Sequence, residues 1–210
     1  MRDARFRVMV LITGIGGFIT VPLKSSFLRA NELREGVILA DPILDMIGPI
    51  DVTWITFGLL YTAILLGGFE LLRRPYRFLI GAQAYFLIML IRIVTLWLVP
   101  LDPPAATIPL IDPVVDFFVE SDTVLMRDLF FSGHTYTAFL VFLMTTTPWR
   151  KAAIGIMTAL VGILVIVQHV HYTIDVLAAL FFCFGCLHMI RNLNARFCPE
   201  KRDAAGCQSV

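Results

Sequence analysis

Charge is scarce in this chain. Only 16% of its 210 residues are Asp, Glu, Lys or Arg, 58% are hydrophobic, and the mean hydropathy is +0.82. A soluble domain of this size could not cover so much apolar surface, so the composition leaves a polytopic membrane protein. The net charge is only +1, and no bulk basicity points to a nucleic-acid partner. Cysteine is absent before Cys183. The four that exist (Cys183, Cys186, Cys198, Cys207) crowd the C-terminal end and make no disulfide framework. Cys183-x-x-Cys186 falls in an apolar run, where small polarizable packing residues are the simpler reading. The ending Cys207-Gln208-Ser209-Val210 lacks the aliphatic middle of a prenylation box. No small-x-small cleavage site follows the apolar stretch Val8–Thr20, so it reads as a span rather than a leader. Gly14-Ile15-Gly16-Gly17 lacks the third glycine and the preceding strand of a nucleotide loop, and reads as a close helix contact.

What is present is a succession of apolar runs separated by charge. Six of them, at about 7–23, 52–71, 76–99, 130–147, 152–170 and 173–190, approach the roughly 20 residues that a bilayer demands. The sequence therefore predicts an all-α integral membrane protein with a six-helix domain over 1–190 and a short tail over 191–210. Arg2, Arg5 and Arg7, then Arg73, Arg74 and Arg77, then Arg150 and Lys151, then Arg191, Arg196, Lys201 and Arg202 mark alternate connections. The positive-inside rule puts these, and both termini, in the cytoplasm. The intervening connections hold fewer basic residues: Lys24, Arg29 and Arg34 in one, Arg127 in the next and none in the last. The connection at 100–129 is acidic (Asp102, Asp112, Asp116, Glu120, Asp122, Asp128), and its prolines from Pro100 to Pro113 predict an extended, non-helical first half.

This topology brings two polar clusters to the same non-cytoplasmic surface. Ser132-Gly133-His134-Thr135 opens the fourth span, and His171-Tyr172-Thr173-Ile174-Asp175 opens the sixth. His171 and Asp175 stand one helical turn apart, so the carboxylate can hold a ring N–H and leave the other nitrogen basic. Arg92 lies about two turns below the outer end of the third span, where a charged residue faces a partner or a cavity. Ser132 is a natural N-cap, and the free N–H groups near Gly133 would bind an anion. With Asp128 and Arg127 adjoining, this set suits phosphoryl transfer. One histidine attacks phosphorus and the other protonates the leaving oxygen, with neither a metal nor a cofactor required.

Leu129-Phe130-Phe131-Ser132-Gly133-His134-Thr135 and Gln168-His169-Val170-His171-Tyr172-Thr173-Ile174-Asp175-Val176 resemble the sphingomyelin synthase family, within the type 2 phosphatidic acid phosphatase superfamily. Arg73-Arg74, Gly81, Tyr85 and Arg92-Ile93-Val94-Thr95 resemble its third-span motif, and Asp41-Pro42-Ile43-Leu44-Asp45 its proline-rich first-loop motif. The resemblance implies His171 as nucleophile, Asp175 as its orienter and His134 at the leaving group. The reading of the residues themselves, apart from the resemblance, puts Arg92, Arg127, Asp128, Ser132 and Gly133 around the substrate. The partners implied are a phospholipid donor and a lipid acceptor such as ceramide. The membrane would be a bacterial inner membrane or a eukaryotic Golgi or plasma membrane. Met126-Arg127 stands where the family has Cys-Gly, which leaves the headgroup open. The lysine-arginine-proline motif and the Ser-Arg pair of ordinary lipid phosphatases are missing.

Other readings compete. Water in place of the lipid acceptor gives a lipid phosphatase. His169-x-His171 with Asp175 could bind zinc, though its ligand set is incomplete. Ser132 is a poor hydrolase nucleophile, because Phe130 replaces the glycine expected two residues earlier. A channel or transporter would place its ionisable groups at mid-membrane depth, whereas here they gather at one surface.

Overall fold

The computed structural model describes residues 2–112 and 125–197. Pro113, Asp116, Glu120 and Asp122 of the acidic connection, and Cys198, Lys201, Arg202 and Cys207 of the tail, lie outside the described residues. Among the described residues there are seven helices: α1 (Arg2–Glu32), α2 (Pro42–Asp45), α3 (Thr53–Leu72), α4 (Pro75–Leu98), α5 (Gly133–Met144), α6 (Pro148–Val167) and α7 (Thr173–Phe197). No strand occurs among the described residues; one isolated bridge pairs Val37 with Leu101. Five helices (α1, α3, α4, α6 and α7) are long and apolar enough to cross a membrane, while α5 is a shorter apolar helix. The chain is thus an all-helical, multi-pass type of molecule.

The helices alternate between two ends of one bundle. At one end Val52 N–H, just before α3, donates to Gln168 at the end of α6, and Ser132 N–H, just before α5, donates to the Asp175 carbonyl in α7. At the other, Glu70 near the end of α3 accepts from Thr146 and Thr147 between α5 and α6. We call these the histidine end and the arginine end. Trp54 and Trp97 are exposed at the first and Trp149 at the second, the placement of indoles at the two faces of a bilayer.

Helix α5 is 12 residues long, about 18 Å, and falls short of a hydrocarbon core of about 30 Å. Apolar Phe130 and Phe131, expected in the fourth span, instead form a bent, non-helical approach, with Phe131 fully buried. Non-helical backbone at such depth must have its polar groups met by protein. Here they are: Glu32 accepts from Met126 N–H and Arg127 N–H, Asn31 donates to the Arg127 carbonyl, and Arg92 donates to the carbonyls of Asp128 and Phe131. Helix α1 also continues past the expected end near residue 23, carrying Lys24 and Arg29 inside it and delivering Asn31 and Glu32 to this segment. The loops at the histidine end are tied to one another. Gly36 lies so close to the Leu101–Asp102 backbone that a Cβ there would come within 2.4 Å of the Leu101 carbonyl carbon.

Candidate active site

The turn from α6 into α7 carries the histidine motif. Gln168 caps α6 and is fully buried. It donates to Thr53 Oγ1 at 2.8 Å and accepts from Val52 N–H at 3.2 Å. His169 takes the left-handed backbone conformation (φ 57°), which turns the chain sharply. Its Nε2 lies 2.9 Å from the Ile47 carbonyl, and Thr107 Oγ1 donates to its own carbonyl at 2.8 Å. The His169 ring is thereby engaged by the first loop. Among the described residues, no group of three or more His, Cys, Asp and Glu gathers as a metal site.

His171 follows, 4% exposed, with its Nδ1 3.4 Å from Oδ2 of the fully buried Asp175. This is ion-pair distance without hydrogen-bond alignment, since Nδ1 has no hydrogen-bond partner. The same Asp175 oxygen accepts from Tyr172 N–H at 3.0 Å, which pins the carboxylate to the start of its own helix. Across from it, the His134 ring lies 6.2 Å from the His171 ring, centroid to centroid, and is packed edge-on against Phe57 at 5.5 Å. Ser132 caps α5 by accepting from Thr135 N–H and Thr135 Oγ1. The backbone bond from Ser132 to Asp175 locks the two histidine motifs together.

Arg92 is 1% exposed and fixes the third side. Its Nε donates to the Phe131 carbonyl at 2.6 Å, Nη1 to Asp128 Oδ1 at 2.5 Å and Nη2 to the Asp128 carbonyl at 2.9 Å. The guanidinium also faces the start of α5, 3.7–3.8 Å from where a Cβ on Gly133 would stand. Three of its five N–H groups are thus used within the described residues, and two remain for an anion. Burial alone would raise the Asp128 carboxyl, but the charges of Arg92 and Lys24 hold it below the usual carboxylate range.

The structure brings His134, His171, Asp175, Arg92, Asp128, Ser132 and Gly133 together. Arg127 is turned elsewhere: Nε donates to Asp102 Oδ1 at 2.6 Å, and Nη1 donates to the Glu32 carbonyl. That bond holds the Asp102 carboxyl below its ordinary range. Two contributors escaped the sequence reading. Lys24 counted there only as a topology marker, yet in α1 it lies close enough to Asp128 and Arg92 to act on both electrostatically. A single lysine between the apolar stretches 18–23 and 27–28 was the available signal. Asp41 is the other. It accepts from Thr173 N–H at 2.7 Å and Thr173 Oγ1 at 3.1 Å, capping α7 from a distant loop. The pair Asp41-Pro42 announces the cap of α2, and nothing local announces the second one.

A histidine pair backed by a carboxylate and flanked by a buried guanidinium can shuttle protons and bind an oxyanion between its members. No curated protein matches the sequence. Residues 127–193, which include His134, His171 and Asp175, match the PAP2 superfamily C-terminal family, a similarity to the type 2 phosphatidic acid phosphatases that points to lipid phosphatase or phosphotransferase chemistry.

Proposed function

We propose that this chain is a membrane lipid phosphotransferase that moves a phospho-headgroup from a glycerophospholipid to a lipid hydroxyl, such as that of ceramide. The observation that carries the reading is the pairing of His134 and His171 at 6.2 Å with Asp175 behind one of them. At this separation the two rings are in edge contact, so a phosphorus group beside the pair can be approached by both rings. His134 Nδ1 is buried without a hydrogen-bond partner among the described residues, which is costly unless a polar ligand meets it.

In this mechanism the donor phosphate lies between Arg92 and the start of α5. The His171 nitrogen remote from Asp175 attacks phosphorus; the N–P bond forms as the bond to the diacylglycerol oxygen breaks, and His134 gives that oxygen a proton. The acceptor hydroxyl then loses its proton to His134 and attacks phosphorus, and the N–P bond breaks. Arg92 stands about 9 Å below the end of α4, one turn beneath the exposed Trp97. This depth, just under the headgroup level, favours a substrate that stays in the bilayer, and it opens the site to the non-cytoplasmic leaflet. Water as the acceptor gives the second reading, a lipid phosphate phosphatase, which the family similarity supports equally.

The test uses purified protein, labelled phospholipid donors, and ceramide or diacylglycerol, with analysis of both headgroup-lipid and free phosphate. A new headgroup-lipid that falls at least a thousandfold in His171→Ala is the expected result. Full transfer by His171→Ala sinks the scheme. Phosphate release from lipid monoesters with no transfer product selects the phosphatase.

A further inference from the structure

Of the buried side-chain polar atoms that lack a hydrogen-bond partner among the described residues, three belong to the histidine site. The other two, Arg77 Nη1 and Arg150 Nε, lie at the opposite end of the bundle. Arg77 is fifteen residues before Arg92 on α4, about 22 Å along the helix, so this second group is separate from the first. Around it the positive charges outnumber the acids. Arg77 is near enough to feel the charges of Arg74 and of Arg191, which enters from α7. Arg191 reaches the Leu143 carbonyl only at 3.4 Å and the Met144 sulfur at 3.7 Å, and Arg74 donates to Thr146 Oγ1 at 3.1 Å. None of these three meets a carboxylate at ion-pair distance among the described residues.

The one nearby acid, Glu70, is already committed. Its carboxylate accepts from Thr146 N–H, Thr146 Oγ1 and Thr147 N–H and sits 3.9 Å from Arg150 Nη1, so it serves as the cap of α6. Three guanidinium groups held close together without an anion repel one another, and a partly buried guanidinium with an empty N–H carries a desolvation cost. A phosphate resolves both at once, because its oxygens match the forked donors of arginine. Arginine clusters between spans at a membrane face are suited to lipid headgroups, whose tails then lie along the exposed apolar side chains of the helices.

We infer that the arginine end binds the phosphate of an anionic phospholipid headgroup, with Arg77 and Arg191 as the principal donors and Arg74 at the rim. The bound lipid bridges the start of α4 to the last turns of α7 and stands apart from the reacting lipid at the histidine end.

The test is native mass spectrometry and thermal unfolding of the full-length purified protein in neutral detergent. Phosphatidylglycerol, phosphatidylcholine and inorganic phosphate are titrated separately. Phosphatidylglycerol is expected to remain bound and to raise the unfolding temperature, phosphatidylcholine to do neither, and Arg77→Gln/Arg191→Gln to weaken phosphatidylglycerol at least tenfold. Arg77→Lys/Arg191→Lys keeps the charge but loses the fork, and is expected to fall between the two should the glutamine pair fold poorly. Arg73→Gln serves as the control, because Arg73 is exposed and lies over the Phe69 ring. Equal loss in Arg73→Gln would mean diffuse surface attraction and overturn the site. So would unchanged binding in both Arg77/Arg191 pairs. Stabilisation by inorganic phosphate with none from the lipid would assign the arginines to a soluble phosphate and overturn the lipid headgroup.

Discussion

At the scale of single residues, the turn that carries His171 is held from a distant loop. Asp41 is buried, and burial alone would raise its carboxyl; the bonds from Thr173, Ile43 and Leu44 outweigh this and hold it below the usual range. A carboxyl held low stabilises the fold above its unfolded-state value near 3.9, and that contribution disappears as pH falls through the lower folded value. The cap on α7 therefore persists through the mildly acidic range. Asp41→Ala is expected to cost about 1 kcal/mol, the usual value of a lost N-cap, and to slow transfer several-fold by loosening the turn that carries His171. Thermal unfolding and steady-state rates of the variant check both effects. The stability loss should shrink as pH falls below the unfolded-state value, and vanish as pH falls through the lower folded value of the wild-type carboxyl. An Asp41→Ala protein as stable and as active as wild type would show that the loop merely leans on the helix.

At the scale of elements, five helices were legible because bilayer-length apolar runs survive in the sequence whatever their neighbours do. The polar motifs at 132–135 and 171–175 were legible for the same local reason. The limits of α5 and α1 were not. Phe130 and Phe131 satisfy any hydropathy window, yet Arg92 holds the adjoining carbonyls in a non-helical segment. Likewise the last turns of α1 are polar and resemble a loop, but Asn31 and Glu32 are needed as helical side chains to meet the 126–127 backbone. The first outcome depends on contacts 36 and 39 residues apart along the chain, the second on contacts 94 and 96 apart. The short α5 is held by close packing on α3. A Cβ at Gly67 would come within 2.2 Å of Val141 Cγ1 and 3.1 Å of Thr145 Oγ1, whereas one at Gly68 would meet nothing within 4 Å. Gly67→Ala is expected to destabilise by about 1–3 kcal/mol, the cost of overpacking, and Gly68→Ala to change little. Unfolding temperatures of the pair, measured side by side, decide whether α5 is seated there.

At the scale of the whole molecule, the two ends carry opposite kinds of unfinished business: orphaned histidine and aspartate atoms at one, orphaned arginine atoms at the other. Which end faces the cytoplasm is a proposal that rests on the passages and on the basic residues together. Although α5 has only 12 residues, the chain enters it beside Asp175 at the histidine end and leaves it beside Glu70 at the arginine end. We propose that this amounts to a full passage, the non-helical segments supplying the missing length, so that six passages would return the C-terminal side to where α1 began. The cluster of Arg73, Arg74, Arg77, Arg150, Lys151 and Arg191 would then put its end in the cytoplasm. This assignment can be read directly by thiol labelling. Cys183 and Cys186 are buried, so a background with Cys198 and Cys207 changed to Ser should be silent. Ala106 is exposed beside Thr107, which donates to the His169 carbonyl, and Arg73 is exposed at the opposite end. In intact cells a membrane-impermeant maleimide is expected to label Ala106→Cys and spare Arg73→Cys, and permeabilisation should expose the second. Labelling of Arg73→Cys alone would put the histidines on the cytoplasmic leaflet and change which lipids can reach them. Labelling of both from one side would mean that α4 does not separate the two faces, and would overturn the assignment.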